Sequence, residues 1–285
     1  MESKILKPAE VCEATIKSGI TKANIGFLQG SILGILAGAF IAIGGAVSAV
    51  VSYNVTNASI AKLLGASVFP VGLILVVVCG AELFTGNNLI VVSVLDKKTT
   101  FKQLLRNWVI VYFANFIGSL VIAFLVYNSG MLNMGDGKLG GTVIKVASAK
   151  CGLSFKTAFA SGIMCNILVC LAVWGATAAK DVIGKIFMIW FPIMTFVACG
   201  FEHCVANMYF LMIGTFAKLN SVYVQASALT QDKLNLISGS GILNNLIPVT
   251  LGNIVGGTVL VGCVYFIAYR YKAVKTKNIK KDVNI

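Results

Sequence analysis

Six apolar stretches, each about 20 residues or longer, limit what this chain can become. They run at roughly 27–53, 67–95, 107–128, 154–178, 184–217 and 245–271. Segments of that kind cross a bilayer as helices, because a helix satisfies its own backbone polar groups where no water is available. The expected class is an all-α membrane protein with six transmembrane helices. Composition agrees, with 58% hydrophobic and only 12% charged residues, about half the charge density of a soluble domain. The runs at 67–95 and 184–217 exceed one comfortable span, so an interruption is expected inside each.

A formal net charge of +13 invites a nucleic-acid reading, but its distribution excludes one. With the N-terminus inside, the inside segments hold Lys4, Lys7, Lys17, Lys22, Lys97, Lys98, Lys102, Arg106, Lys180, Lys185 and Arg270, with five lysines of the tail beyond. Sixteen of the 23 basic residues fall there. That asymmetry is the positive-inside bias, and it predicts cytoplasmic N- and C-termini in the cell (inner or plasma) membrane. The expected organisation is a cytoplasmic N-terminal segment at 1–26, a six-span transmembrane channel domain at 27–271, and a basic cytoplasmic tail at 272–285. Residues 1–26 are mixed polar with Glu2, Glu10 and Glu13, so no cleavable signal peptide is read there. The eight cysteines form no CxxC pair, which supports neither a disulfide framework nor a metal site. They read as small buried hydrophobes.

The chain repeats itself. Residues 79–87 read CGAELFTGN and residues 199–207 read CGFEHCVAN, both C-G-x-E-x4-N. Asn107, Asn115 and Gly118 share the spacing N-x7-N-x-x-G with Asn245, Asn253 and Gly256. These pairings match the second span with the fifth and the third with the sixth. Each half then has three spans, an odd number, so the halves enter the membrane from opposite sides as a 3+3 inverted repeat. Glu82 and Glu202 are ionisable groups at membrane depth and need protein or water around them. With Gly80, Gly86 and Gly200 loosening the backbone and Pro70 and Pro192 upstream, helices 2 and 5 are expected to be interrupted. Glu82, Glu202 and Asn87 are assigned to structure at these breaks, the glutamates bonding freed backbone N–H groups. The competing reading is that Glu and Asn merely staple helices together, and two matched copies weigh against it.

The single histidine, His203, falls inside the second break, where neutral imidazole can still donate a hydrogen bond. The first break offers Thr85. A histidine and a threonine facing each other across a narrow lumen suit a small anion or its neutral acid. Lys150 precedes the fourth span and can draw anions if its loop forms an outer vestibule. Asn166 is a further polar group at membrane depth.

The stretches CGAELFTGNN at 79–88, GFEHCVANM at 200–208 and NLIPVTLGNIVGG at 245–257 resemble the formate/nitrite transporter family, over about residues 10 to 272. The resemblance implies an aquaporin-like architecture and a homopentamer with one pore per protomer. It places Thr85, His203, Lys150, Asn166 and Asn207 along the substrate path. It also places Phe69, Leu73, Leu83, Phe84, Val169 and Phe196 in or beside two hydrophobic slits. Gly86-Asn87 follows Thr85 where some formate channels carry Ser-Thr. The expected function is passage of small monovalent anions of weak acids, namely formate, nitrite or hydrosulfide, with protonation near His203. No cofactor, metal, catalytic residue or nucleic-acid partner is expected, and the partners are the anion and the lipid bilayer. Two rivals are an aquaporin-like channel for neutral solutes, which lacks its paired Asn-Pro-Ala breaks here, and an intramembrane enzyme, which lacks a nucleophile or metal set.

Overall fold

A computed structural model of the protein describes residues 5–271, so the expected basic tail at 272–285 lies outside the described residues. The described residues are almost entirely helical. Six helices are long and apolar enough to cross a membrane. In chain order, α1 (Pro8–Ala23) is a short polar-faced helix. The first span is α2 (Phe27–Ser52), the second α3 (Ala58–Val78), followed by a short continuation α4 (Gly86–Leu95). The third span is α5 (Phe101–Asn128). Helix α6 (Lys138–Cys151) precedes the fourth span, α7 (Phe155–Ala178). The fifth span, α8 (Val182–Cys199), continues in α9 (Cys204–Ala217). Two short helices, α10 (Ser221–Ser227) and α11 (Gln231–Asn235), lead to the sixth span, α12 (Gly239–Tyr269).

Three spans start about six or more residues earlier than hydropathy alone placed them. Side-chain caps, rather than the onset of apolar residues, set those ends. Asn57 accepts from the backbone N–H groups of Ser59 and Ile60 ahead of α3. Thr100 and Gln103 form a reciprocal capping box at α5. Ser238 accepts from Gly241 N–H at α12. Three cysteines also depart from the buried reading: Cys79 and Cys199 are exposed and Cys263 is half-buried. The first two sit where α3 and α8 end, so helix termination rather than core packing places them.

Two helix pairs touch backbone to backbone. A Cβ on Gly118 of α5 would lie 1.9 Å from the Ile35 carbonyl of α2, and one on Gly38 would lie 2.0 Å from Asn115 O. Between α7 and α12, a Cβ on Gly252 would meet Phe159 O at 2.2 Å and one on Gly256 would meet Ile163 O at 2.3 Å. Small residues at such crossings gain dispersion contact that lipid cannot supply. Gly118→Ala therefore overpacks a backbone contact and is expected to cost about 1–3 kcal/mol. Thermal unfolding in detergent reads this loss, with Gly239→Ala as the control, since a Cβ there has nothing within 4 Å. Equal melting temperatures for the two variants would refute the close-approach argument.

Candidate functional site

Both interruptions are built by the same local chemistry. Gly80 and Gly200 adopt left-handed φ values of +80° and +72°, a conformation that glycine adopts without a Cβ penalty. After each, the next N–H turns back onto the helix it leaves: Ala81 N–H to Val76 O at 2.8 Å and Phe201 N–H to Phe196 O at 3.0 Å. These are Schellman-type ends. The chain then runs non-helical to Thr85 and to His203 before helix resumes.

An asparagine from another helix satisfies the freed backbone in each break. Asn115 accepts from Phe84 N–H at 2.9 Å and donates to Glu82 O at 2.9 Å and Gly34 O at 2.8 Å. Asn253 accepts from Cys204 N–H at 2.9 Å and donates to Glu202 O at 3.0 Å and Gly162 O at 2.7 Å. An amide both donates and accepts, which a carboxylate cannot do. The glutamates consequently do not serve the backbone N–H groups, which corrects the sequence expectation. Glu82 instead pairs with Lys22 Nζ at 2.6 Å and accepts from Asn87 Nδ2 at 2.7 Å. Glu202 pairs with Lys150 Nζ at 2.8 Å and accepts from Asn207 Nδ2 at 2.6 Å. Asn107 accepts from Asn87 at 2.9 Å and donates to Lys22 O at 2.9 Å. Asn245 accepts from Asn207 at 2.7 Å and donates to Lys150 O at 3.0 Å. Charge compensation explains the difference, because a carboxylate at membrane depth needs a cation more than it needs an amide donor.

Where the copies differ, they meet. His203 Nε2 and Thr85 Oγ1 lie 2.8 Å apart, and both residues are buried. His203 is also the N-cap of α9, with Nδ1 accepting from Ala206 N–H at 3.0 Å. That bond fixes the neutral tautomer: the ring proton sits on Nε2 and is donated to Thr85 Oγ1. The Thr85 hydroxyl proton is then free to point elsewhere. Behind Thr85, its carbonyl accepts from Asn166 Nδ2 at 3.3 Å. Asn166 also donates to Asn253 O at 2.7 Å.

Two cavities share His203, and a third lies beside the first break. A wide one of about 240 Å³ is lined by Lys62, Thr142, Lys150, Phe196, Glu202 and His203, with Asn207 on its wall. Next comes a cavity of about 10 Å³ that shares Phe69, Phe196 and His203 with it and adds Leu73, Leu83 and Val169. That volume is at the lower limit for holding a single water. At Gly86, next to Thr85 in the chain, a third of about 30 Å³ is lined by Thr15, Ser18, Lys22, Gly86, Leu89 and Thr177, so α1 covers it. The Phe196 ring stacks on His203 at 5.8 Å and meets the edge of Phe69 at 5.6 Å.

Five of the six apolar residues expected at the slits thus line the small cavity. Phe84 does not. Its ring packs on Trp108 at 5.9 Å and Tyr112 at 5.0 Å, because successive residues of the non-helical segment face opposite ways. Ile41 and Ile193 complete the lining, and nothing in their sequence context distinguishes them from other span residues. Sequence reasoning also missed Lys22, counted there only as topology charge. It expected asparagine to satisfy freed backbone groups but carried Asn107, Asn115, Asn245 and Asn253 only as a repeat, without saying which of them would do so. Among the described residues, no group of three or more His, Cys, Asp or Glu is placed to hold a metal ion.

A family profile described as "Formate/nitrite transporter" matches residues 9–267, nearly the whole chain. The chain belongs to the formate/nitrite transporter family. It is a multi-pass membrane transport protein and not an enzyme. Among its curated relatives in that family, it is 39% identical to a "Probable formate transporter" of Methanothermobacter thermautotrophicus, covering 94% of this chain and 99% of the relative. It is 36% identical to the "Formate channel FocA" of Escherichia coli (strain K12), covering 93% and 95%. Among solved structures, a "Pentameric formate channel with formate bound" aligns with a TM-score of 0.77 at 37% identity, covering 85% of this chain and 97% of that one.

Proposed function

We propose that this protein passes small monovalent anions of weak acids, formate, nitrite or hydrosulfide, through one pore in each protomer of a homopentamer in the cell membrane. The observation that carries the reading is the buried His203–Thr85 pair, whose histidine lines both a lysine-lined cavity and an apolar one too small for a water column. The names of the formate channels and the bound formate of the pentameric neighbour support it. Both termini are cytoplasmic, the two halves form an inverted repeat, and the wide cavity is the outer vestibule. The 1–26 segment, the 27–271 channel domain and the 272–285 tail are the corresponding divisions.

In this reading the anion enters by the vestibule, where the basic lining and the start of α9 favour negative charge. A bare anion cannot cross the ring of Phe69, Leu73, Leu83, Val169 and Phe196 without a large desolvation penalty. His203 donates Nε2–H to Thr85 Oγ1, which leaves the Thr85 hydroxyl as donor to the anion. Protonation near this pair, directly or through water, converts the anion to a neutral acid that passes the ring. Asn166 holds Thr85 by its carbonyl, and Asn207 holds Glu202. Glu82 and Glu202 anchor the breaks.

Flux of labelled formate, nitrite and hydrosulfide into proteoliposomes across a pH gradient tests the proposal. Formate entry that rises as the outer pH falls, with little water permeation, is the expected result. Water or neutral-solute flux without anion flux would replace the reading with an aquaporin-like one.

A further inference from the structure

We propose that Lys62, rather than Lys150, is the cation that captures the anion at the wide cavity. The proposal rests on the anion-transport reading given above and names the residue that sets substrate affinity at that mouth. Three charged side chains line this cavity: Lys62, Lys150 and Glu202. Lys150 and Glu202 are paired at 2.8 Å, with side chains only 15% and 9% exposed. Seen from the cavity, that pair is close to neutral, since the fields of opposite charges so close together cancel beyond a few ångströms. The Lys150 ammonium is spent further over the Phe210 ring, 5.5 Å from its centroid.

The uncompensated charge is therefore that of Lys62. It is exposed, and among the described residues its ammonium has no salt bridge or hydrogen bond, so all three N–H donors are available. Its ammonium lies against the second break. Lys62 Nζ lies 3.4 Å and Cε 3.9 Å from where a Cβ on Gly200 would stand. Gly200 has no side chain, and its left-handed φ of +72° keeps bulkier residues away. The ammonium thereby lies at the start of the non-helical segment that ends in His203. One free cation at Gly200, the residue three before the central histidine, suits a carboxylate or nitrite oxygen pair. A neutral solute gains nothing from it.

Lys62 also stands where α8 ends, and a cation there stabilises the helix dipole. A purely structural role of that kind would shift stability and not ionic-strength dependence. The test measures formate uptake into proteoliposomes at neutral pH, at low and high salt, for wild type, Lys62→Gln, Lys62→Arg and Lys150→Gln. All variants are first checked for pentamer-sized elution and melting temperature. Capture by Lys62 predicts that Lys62→Gln raises the half-saturating formate concentration roughly threefold to tenfold at low salt. The difference is expected to vanish in about 1 M salt, where the screening length is only about 3 Å. Lys62→Arg is expected to retain low-salt affinity. Lys150→Gln, which strands Glu202, is expected to lower flux equally at both salts. A Lys62→Gln protein with wild-type affinity at low salt overturns the proposal and leaves the transport reading intact. A shift of equal size at both salts also overturns it, because it marks a structural effect. A wild type that carries no anion at all overturns both readings.

Discussion

Glu202→Leu is expected to lower stability by about 3–5 kcal/mol and to abolish most transport, the largest single effect in the molecule. The Lys150 ammonium is then left without its carboxylate, in a position where its side chain is 15% exposed. Asn207 and Asn245 lose an acceptor at the same point. Since Asn253 still holds the backbone of the break, the loss lies in stranded charge and not in helix termination. The double variant Lys150→Met/Glu202→Leu is expected to regain a substantial part of the loss, because it removes both charges together. A thermal double-mutant cycle in detergent measures the coupling. Strictly additive losses would show that the two residues do not act as a pair. In the other copy, Glu82→Leu strands Lys22, whose side chain is 29% exposed. Water reaches that ammonium more readily, so the expected loss is smaller.

The second large effect falls on the unshared residues. His203→Asn is expected to lower formate flux by roughly two orders of magnitude, the lower end of what a positioned proton donor contributes. Asparagine is as good an N-cap as any residue, so α9 keeps its start. What it lacks is the reach from the cap to Thr85 Oγ1, now spanned by an imidazole that bonds at both ends, 3.0 Å and 2.8 Å. The pH profile carries the test. Wild-type flux is expected to rise as pH falls, because the species crossing the apolar ring carries a proton. In His203→Asn that slope is expected to flatten. An unchanged profile would remove His203 from the protonation step and leave it a helix cap. Protonating the wild-type ring at Nδ1 would turn a second donor against Ala206 N–H, at the expense of the cap. A neutral His203 therefore acts on the protonation step through Thr85, whose hydroxyl it orients toward the anion.

Much of this architecture is legible in the amino-acid sequence. The six spans follow from apolar length alone, since no water lies in a bilayer core to satisfy any other backbone. The two breaks follow from C-G-x-E-x4-N written twice, because a glycine and an ionisable residue cannot continue an apolar helix without consequence. Each of these is a local property of the chain. What the tertiary structure decided is which distant group answers each buried polar one. It put Asn115 and Asn253, not the glutamates, onto the freed backbone, and joined Lys22 and Lys150 to the two carboxylates. It turned Phe84 away while bringing in Ile41 and Ile193. It left Lys62 alone among the charges of the wide cavity and set Thr85 against a histidine 118 residues later. Spacing along a helix gives the face a residue occupies. Its partner depends on the rotation and depth at which two helices pack, and glycine-lined backbone contacts such as Gly118 on Ile35 fix those only in the folded protein.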